Sequence, residues 1–336
     1  MSPRSRSPLS GAAGSLWTFA RLCRLENPAE ASRSTPRRAP RTALQLATFA
    51  ALAWGCSVAP ESYEADAHKG STHAVVAISR QDALRTAPRG DALAGFVHLP
   101  ASADRDRALE LAGLGIELPE PGQCWQRPPE RTSEGLAGVP HIEFLDAGRV
   151  RLIAGGAPHE LAPHAFPTIA DFISGVVYAS RNRNGEGLPA AQLYRIETSN
   201  DGTVAELSAS HDAPPMPTDV TLGGAPFESV EELAGGQPLD VTWSGSNEPT
   251  DRLYVELSAG SKSQVCTFED ASGAGTVPTD GFAAGGDAQL ALHRVRVART
   301  VPHSPARDDK NGAAASVVDQ LEVRFDFSVS RGIRFE

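Results

Sequence analysis

The segment LEVRFDFSV, residues 321–329, alternates strictly between apolar and polar side chains. The apolar members are Leu321, Val323, Phe325, Phe327 and Val329, and the polar members are Glu322, Arg324, Asp326 and Ser328. Because successive side chains of a β-strand point to opposite faces of the sheet, a period of two predicts a strand. We therefore predict a strand with one face on a hydrophobic core and the other in water.

Other segments of the second half of the chain have the same period. The apolar residues that share a face are Leu239, Val241 and Trp243 in LDVTWSG, and Leu253, Val255 and Leu257 in RLYVELS. In AQLALHRVRVAR, residues 288–299, the apolar phase changes between Leu292 and Val295, which predicts a β-bulge near His293 or Arg294. Short strands separated by turns predict an antiparallel β-sandwich over residues 219–336.

The first half of the chain is predicted to form a separate β-rich domain, residues 93–213. Prolines at positions 214, 215 and 217 make a stiff break, which we take as the boundary between the domains. The predicted elements are one short helix within residues 102–114, a hairpin of residues 142–144 with 150–152, a strand in SGVVYAS, and a hairpin of Leu193–Thr198 with residues 203–209. Residues 56–92 are polar and without a sustained period, which predicts a flexible tether with a short ordered patch at residues 74–78.

The charge of the chain argues against a nucleic-acid partner. From Cys56 onward there are 23 basic and 39 acidic residues, a net charge of −16. Such a surface repels phosphate backbones, and the sequence contains no concentrated basic segment that would overcome the repulsion.

An apolar run, LQLATFAALAWGC, ends at Cys56 and follows arginines at positions 37, 38 and 41. A basic segment followed by about a dozen apolar residues is typical of an export signal, and residues 1–55 are therefore predicted to be a leader and signal peptide. The segment Leu52–Cys56 resembles the lipobox of bacterial lipoproteins, although Ala53 and Trp54 depart from its usual residues. The resemblance implies that Cys56 carries a lipid, and Ser57 after it implies the outer membrane. The alternative is cleavage after Ala53, which would release a soluble periplasmic or secreted protein.

Three further segments, LDVTWSG, VCTFEDASGAGTVP and EFLDAGRV, resemble uncharacterised lipoproteins of GC-rich Gram-negative bacteria. In those proteins a β-rich N-terminal region precedes an immunoglobulin-like domain. The resemblance implies an all-β chain with two β-sandwich-like domains, the second immunoglobulin-like, after a disordered leader and tether. It implies no activity.

The segment HELAPH, residues 159–164, has the beginning of a zinc-protease motif. Its second histidine, His164, is five positions from His159 rather than four, and Pro163 interrupts the helix that the motif requires. The acidic turns at residues 182–186 and 308–312 lack the order of a calcium loop. We predict no catalytic, cofactor-binding or metal-binding residue, and Cys56 is the one predicted site.

Three other groups of residues have alternative interpretations. Arg294, Arg296 and Arg299 are predicted to be the solvated face of a strand, opposite Glu322 and Asp326. Cys124 and Cys266 could form a disulfide in an exported protein, but we favour free thiols, since Cys266 alternates with Phe268 and fits a buried position. Trp125 and Trp243 are the only tryptophans after Cys56, which is poor support for a sugar-stacking surface.

The sequence therefore favours a cell-envelope lipoprotein without enzymatic activity, a structural or protein-binding module without a cofactor. Its expected partners are the membrane, through the lipid on Cys56, and another envelope protein. Two alternatives stay open, a metal-dependent hydrolase centred on His159 and His164, and a protein that binds cell-wall glycans.

Overall fold

The computed structural model describes residues 70–84, 87–101, 105–111, 113–127, 142–165, 173–180, 188–199, 201–282, 284–302 and 315–336. All of them lie in one compact unit, Lys69–Glu336. The predicted leader, Cys56 and the first part of the predicted tether lie outside the described residues.

The described part of the chain is almost entirely β-structure, as predicted. The strands are β1 (Ser71–Ala83), β2 (Arg89–Leu99), β3 (Cys124–Arg127), β4 (Ile142–Phe144), β5 (Val150–Ala154), β6 (Ala157–Ala165), β7 (Ile173–Ser180), β8 (Leu193–Thr198), β9 (Ser208–Asp212), β10 (Thr221–Leu222), β11 (Ala225–Pro226), β12 (Glu232–Leu233), β13 (Leu239–Thr242), β14 (Arg252–Ala259), β15 (Lys262–Glu269), β16 (Ala274–Val277), β17 (Asp287–Thr300) and β18 (Gln320–Phe335). One α-helix, α1 (Arg105–Leu111), lies within the predicted helical segment, and two 3₁₀ turns occupy Phe227–Ser229 and Asp270–Ser272.

Two sheets are formed by these strands. In the described residues the larger sheet has the order β3-β15-β14-β17-β18-β1-β2-β4-β7-β6-β5-β8-β9, with β12 also paired to β18. The smaller sheet has the order β11-β10-β13-β16. The long antiparallel pair of β17 and β18 is at the middle of the larger sheet, and β1 joins β18 in a parallel pairing.

The apolar side chains form two hydrophobic cores. In core 1 the larger sheet folds back on itself, so that Tyr194 of β8 contacts Phe325 and Phe327 of β18, with ring centroids 5.6 and 6.5 Å apart. In core 2 the smaller sheet packs on β14, β15 and β17, and Trp243 contacts Phe268 at 5.7 Å. Each core is enclosed between two layers of strands, which confirms two β-sandwich-like halves.

The predicted boundary between two independent domains is wrong, because strands that precede it in sequence pair with strands that follow it. β18 contributes residues 321–327 to core 1 and Ile333 and Phe335 to core 2. β1, which precedes the boundary in sequence, pairs with β18, which follows it, for example through Val76 and Val323. Residues 93–213 and 219–336 therefore share one sheet, since the sixteen residues of β18 are long enough to span both cores.

The prediction of a flexible tether over residues 56–92 is also wrong where the structure describes it. β1 and the first part of β2 lie within that range, and β1 is flanked on both sides by paired strands. Val75 and Val76 are adjacent in sequence and both fully buried, so both faces of β1 are covered. A strand buried on both faces lacks the apolar and polar alternation on which the prediction depended.

Two predicted hairpins differ from the observed pairing. β4 pairs with β2 and β7, whereas β5 pairs with β6 and β8, so the first predicted hairpin does not form. The Asp146 carboxylate accepts hydrogen bonds from the Gly148 amide and the Tyr178 hydroxyl, and these bonds direct the chain from one pairing to the other. In the second case the predicted antiparallel hairpin forms, but the strand that pairs with β8 is β9, which shares only residues 208–209 with the predicted range 203–209 and extends beyond it. The strand predicted in SGVVYAS is confirmed as β7.

The β-bulge predicted near His293 does not exist. The register of β17 with β18 is continuous from Asp287 opposite Arg334 to Thr300 opposite Leu321. The apolar phase changes because Arg294 occupies a core-facing position, where it pairs with buried Asp270. The change of apolar phase is therefore caused by a buried ion pair and not by the extra residue of a β-bulge.

Candidate functional site

Several of the predicted candidates cannot be located. Cys56 and the acidic turns at residues 182–186 and 308–312 lie outside the described residues.

His159 and His164 are both described, and both lie on β6. They are five residues apart, so their side chains point to opposite faces of the strand and do not converge. The part of the chain that the structure describes contains no group of three or more His, Cys, Asp or Glu side chains that could hold a metal ion.

Cys124 and Cys266 form a disulfide, so the preference for free thiols is wrong. The two residues are directly opposite each other in the pairing of β3 with β15, and their Cα atoms are 4.1 Å apart. Cys266 is buried in core 2, as predicted from its alternation with Phe268, whereas Cys124 is exposed on the edge strand. The bridge attaches β3, which is the edge strand beside β15 in the described part of the chain, to core 2.

The predicted solvated stripe of arginines is mostly buried, which corrects that interpretation. Arg294 is fully buried and donates to Asp270 Oδ1 at 3.0 Å and to the Met216 carbonyl at 3.1 Å. Arg296 donates to both carboxylate oxygens of buried Asp251, at 2.7 and 2.8 Å. These two ion pairs lie between core 1 and core 2, and Arg294 holds the proline-rich segment that was predicted to separate two domains.

The opposite face of β18 has a second group of charged residues, which we call the arginine cluster: Arg105, Arg299 and Arg324 around Glu322. The Glu322 side chain is 0% exposed. Oε2 accepts hydrogen bonds from Arg105 Nη2 and Arg299 Nε, each at 2.7 Å, and Oε1 accepts one from Arg324 Nε. Burial alone would raise the pKa of the Glu322 carboxyl, but the hydrogen bonds and charges of the three arginines outweigh it and hold the pKa at about 2.

A third group on the same face, the histidine cluster, consists of Tyr254, His293 and Asp326. His293 Nδ1 lies 2.7 Å from Asp326 Oδ1, and the Tyr254 hydroxyl donates to Asp326 Oδ2 at 2.8 Å. The tyrosine and histidine rings are stacked, with centroids 4.2 Å apart. An imidazole held through Nδ1 by a carboxylate has the orientation of a general base or a metal ligand. Here, however, Nε2 is shielded from solvent and has no hydrogen-bond partner among the described residues, so a substrate has no access to it.

The polar residues of β18 were predicted to face water, so neither cluster was predicted from the sequence. One signal could have indicated the arginine cluster. Arg299 and Glu322 have opposite charges and are directly opposite in the β17–β18 pairing, but that register is not evident from the sequence.

A surface cleft of about 500 Å³ lies between the end of β18 and the segment before β12. Its acidic lining residues are Glu228, Glu231, Glu232 and Asp287. The pKa of Glu232 is raised, chiefly by a hydrogen bond with the Glu336 side chain and by the charge of that residue. Arg331 and Arg334 also line the cleft, so its surface carries charges of both signs.

The two tryptophans do not form a sugar-binding platform. Trp243 is buried in core 2, and its indole N–H donates to the Asp270 carbonyl at 2.8 Å. Trp125 is half-buried on β3. Trp243 therefore offers no exposed aromatic face on which a sugar ring could stack.

In the described residues no helix has the length and apolar character needed to cross a membrane.

Comparisons with known proteins give little further information. No protein-family model matches the sequence, and no curated protein matches it. Among solved structures, the chain is similar to a segment of two fibronectin type III domains from chicken tenascin, with 12% identity. The match covers 44% of this chain and 74% of the tenascin chain at a TM-score of 0.20. At so low a TM-score the similarity gives no information about this fold, which is defined by the observed strand pairing.

Proposed function

We propose that the chain is an exported cell-envelope protein, anchored to the outer membrane by a lipid on Cys56, which acts as a non-enzymatic structural or protein-binding module. The observation that carries the proposal is the disulfide between Cys124 and Cys266. Disulfides persist in exported proteins, whereas the cytosol keeps thiols reduced. Cys124 is exposed at an edge strand, within reach of cytosolic reductants, so this bridge favours an oxidising compartment.

The sequence before the described residues supports the same cellular location. The basic residues, the apolar run and the Gly-Cys pair at residues 55–56 have the order of a lipoprotein signal. Ser57, where an aspartate would favour retention at the inner membrane, favours the outer membrane.

The arrangement of the candidate catalytic groups supports binding rather than catalysis. The rings of His159 and His164 are on opposite faces of β6, which disfavours a hydrolase centred on them. His293 Nε2 is shielded from solvent, and Trp243 is buried, which disfavours a glycan-binding surface. The expected partner is another envelope protein, and the net charge of −16 from Cys56 onward favours one with a basic surface.

The experiment is expression of the full chain in a Gram-negative host with labelled palmitate. Wild-type protein is expected to take up the label and to sediment with outer membranes, because two or more acyl chains give stable anchoring. Cys56→Ser removes the sulfur that carries the lipid and should abolish both. Cys23→Ser, which alters a cysteine of the leader, is the matched control and should retain both. Recovery of wild-type protein as an unlabelled periplasmic species beginning at Trp54 would contradict the lipid anchor.

A further inference from the structure

The arginine cluster holds more positive charge than its carboxylate can neutralise. Arg105, Arg299 and Arg324 bring three guanidinium groups to Glu322, which supplies one negative charge. Guanidinium groups stay protonated in proteins. The cluster itself therefore carries more positive than negative charge, and the exposed carboxylate of Asp106, beside Arg105, offsets only part of that surplus.

Two of the three guanidinium groups lie beside each other. Arg105 Nη2 and Arg299 Nε donate to the same oxygen atom of Glu322, each at 2.7 Å. The third, Arg324, is directed inward, since Nη1 donates to the Leu114 carbonyl. Arg105 and Arg299 are thus the members of the cluster that can reach a second ligand.

Both of these arginines keep donors that Glu322 does not use. Among the described residues Arg299 bonds only to Glu322, through Nε, and its side chain is 58% exposed. Arg105 Nε is shielded from solvent, but Nη1 of the same residue, which Glu322 does not use, lies 3.6 Å from the exposed carboxylate of Asp106. Unused N–H groups on neighbouring arginines, with a positive surplus behind them, are the arrangement that binds oxyanions in proteins.

The positive potential extends to a neighbouring strand. His73 lies on β1, and its pKa is lowered by burial and by the positive charge of Arg105. His73 Nδ1 is also buried without a hydrogen-bond partner. The negative charges of Asp319 and Glu322 act on the His73 pKa in the opposite direction, but they do not outweigh burial and Arg105.

We propose that Arg105 and Arg299 form a binding site for a phosphate group, held by the guanidinium N–H groups that Glu322 does not use. A phosphate monoester or inorganic phosphate carries about 1.5 to 2 negative charges at neutral pH and three strong acceptor oxygens, which suits donors on two neighbouring guanidinium groups. The phosphate can be a free ion or part of a lipid headgroup, and the experiment separates these two sources. The inference does not depend on the lipid anchor.

The test uses the full chain with Cys56→Ser, so that no attached lipid contributes to binding. Inorganic phosphate is titrated by calorimetry, and binding to vesicles of phosphatidylcholine with and without phosphatidic acid is measured by co-sedimentation. We expect saturable binding that Arg299→Gln weakens about tenfold, because a charge-assisted hydrogen bond is lost. The matched control is Arg334→Gln, since Arg334 is 59% exposed and also pairs with one carboxylate, that of Asp287, and it should change nothing.

Each outcome has a defined meaning. Binding of inorganic phosphate with this dependence supports a site for free phosphate, and the same dependence seen only with phosphatidic acid vesicles supports a headgroup site. No saturable binding in either assay, or equal binding by the Arg299→Gln and Arg334→Gln proteins, overturns the proposal. If Arg299→Gln lowers the melting temperature, Arg299→Lys replaces it, which keeps the charge but removes the planar fork of donors.

Discussion

Glu322 is the residue whose environment differs most from what its sequence position suggests. It alternates with apolar residues on β18 and so resembles a water-facing residue, yet its side chain is completely buried by three arginines. Isolated in a low-dielectric interior, any one of these charges would be strongly unfavourable. Together they form a network in which each residue is required by the others.

Replacing Glu322 with glutamine should therefore be strongly destabilising. The substitution keeps the shape of the side chain but leaves three guanidinium groups without their counter-ion. We expect the free energy of unfolding to fall by about 3–5 kcal/mol, the usual cost of breaking a buried ion pair from one side. The measurement is urea denaturation at pH 7. Glu160→Gln, at an exposed position of β6, is the control and should cost less than about 0.5 kcal/mol.

The pH dependence of stability gives an independent readout of the same network. The pKa of Glu322 is held at about 2 in the folded protein, below its ordinary value of 4.5. Its stabilising contribution is therefore complete above pH 4.5 and is lost as the pH falls toward about 2. The Glu322→Gln protein should lose less stability than wild type over this range. Parallel curves for the two proteins would show that Glu322 does not titrate with a lowered pKa.

At the scale of single elements, β3 depends most clearly on one covalent bond. It has four residues, pairs only with β15 among the described strands, and lies at the edge of the sheet. So short an edge strand contributes few hydrogen bonds. The bridge from Cys124 to Cys266, across a sequence separation of 142, keeps it in place.

Replacing both cysteines with alanine should lower the free energy of unfolding by about 2–5 kcal/mol, because a long loop is no longer closed in the unfolded chain. Differential scanning calorimetry under non-reducing conditions measures the loss. A reductant should lower the melting temperature of the wild-type protein and leave that of the double variant unchanged. Equal melting temperatures for the oxidised wild type and the variant would mean that the bridge does not stabilise the fold.

At the scale of the whole molecule, the two cores are one folding unit because β18 contributes side chains to both of them. Without β1, the parallel partner of β18 is missing, and the apolar residues 321–327 lose the side chains of core 1. Arg294 and Arg296 of β17 also donate hydrogen bonds to backbone carbonyls of the segment 212–216, at the end of the first half of the chain. Neither half encloses its own hydrophobic residues completely.

A fragment of residues 219–336 should consequently fail to fold alone. We expect it to show no cooperative transition in urea by circular dichroism, whereas residues 69–336 should unfold in a single transition. The longer fragment is the matched control, because it contains every described strand. A cooperative transition of the short fragment, at the same urea midpoint as that of the longer one, would restore the prediction of two independent domains.

Part of this architecture could be predicted from the sequence. Strict alternation at residues 321–329, and at the apolar positions of β13 and β14, correctly predicted strands and their core-facing residues. The all-β class and the two sandwich-like halves were predicted for the same reason. Where only one face of a strand is apolar, local periodicity reports burial directly.

The remaining features were decided by tertiary structure. Glu322 is buried by side chains of α1 and β17, and Asp326 by a side chain of β14. These elements are separated from β18 in sequence, so the alternation within β18 does not show that its polar residues are covered. The pairing of β1 with β18 joins residues about 250 positions apart, and no local pattern encodes it. The sequence by itself thus determined which residues form strands and which of their apolar faces are buried. The strand order, the shared sheet, the disulfide and the buried arginine and histidine clusters came from tertiary structure, because partners for charges and strand edges are chosen by contacts between distant parts of the chain.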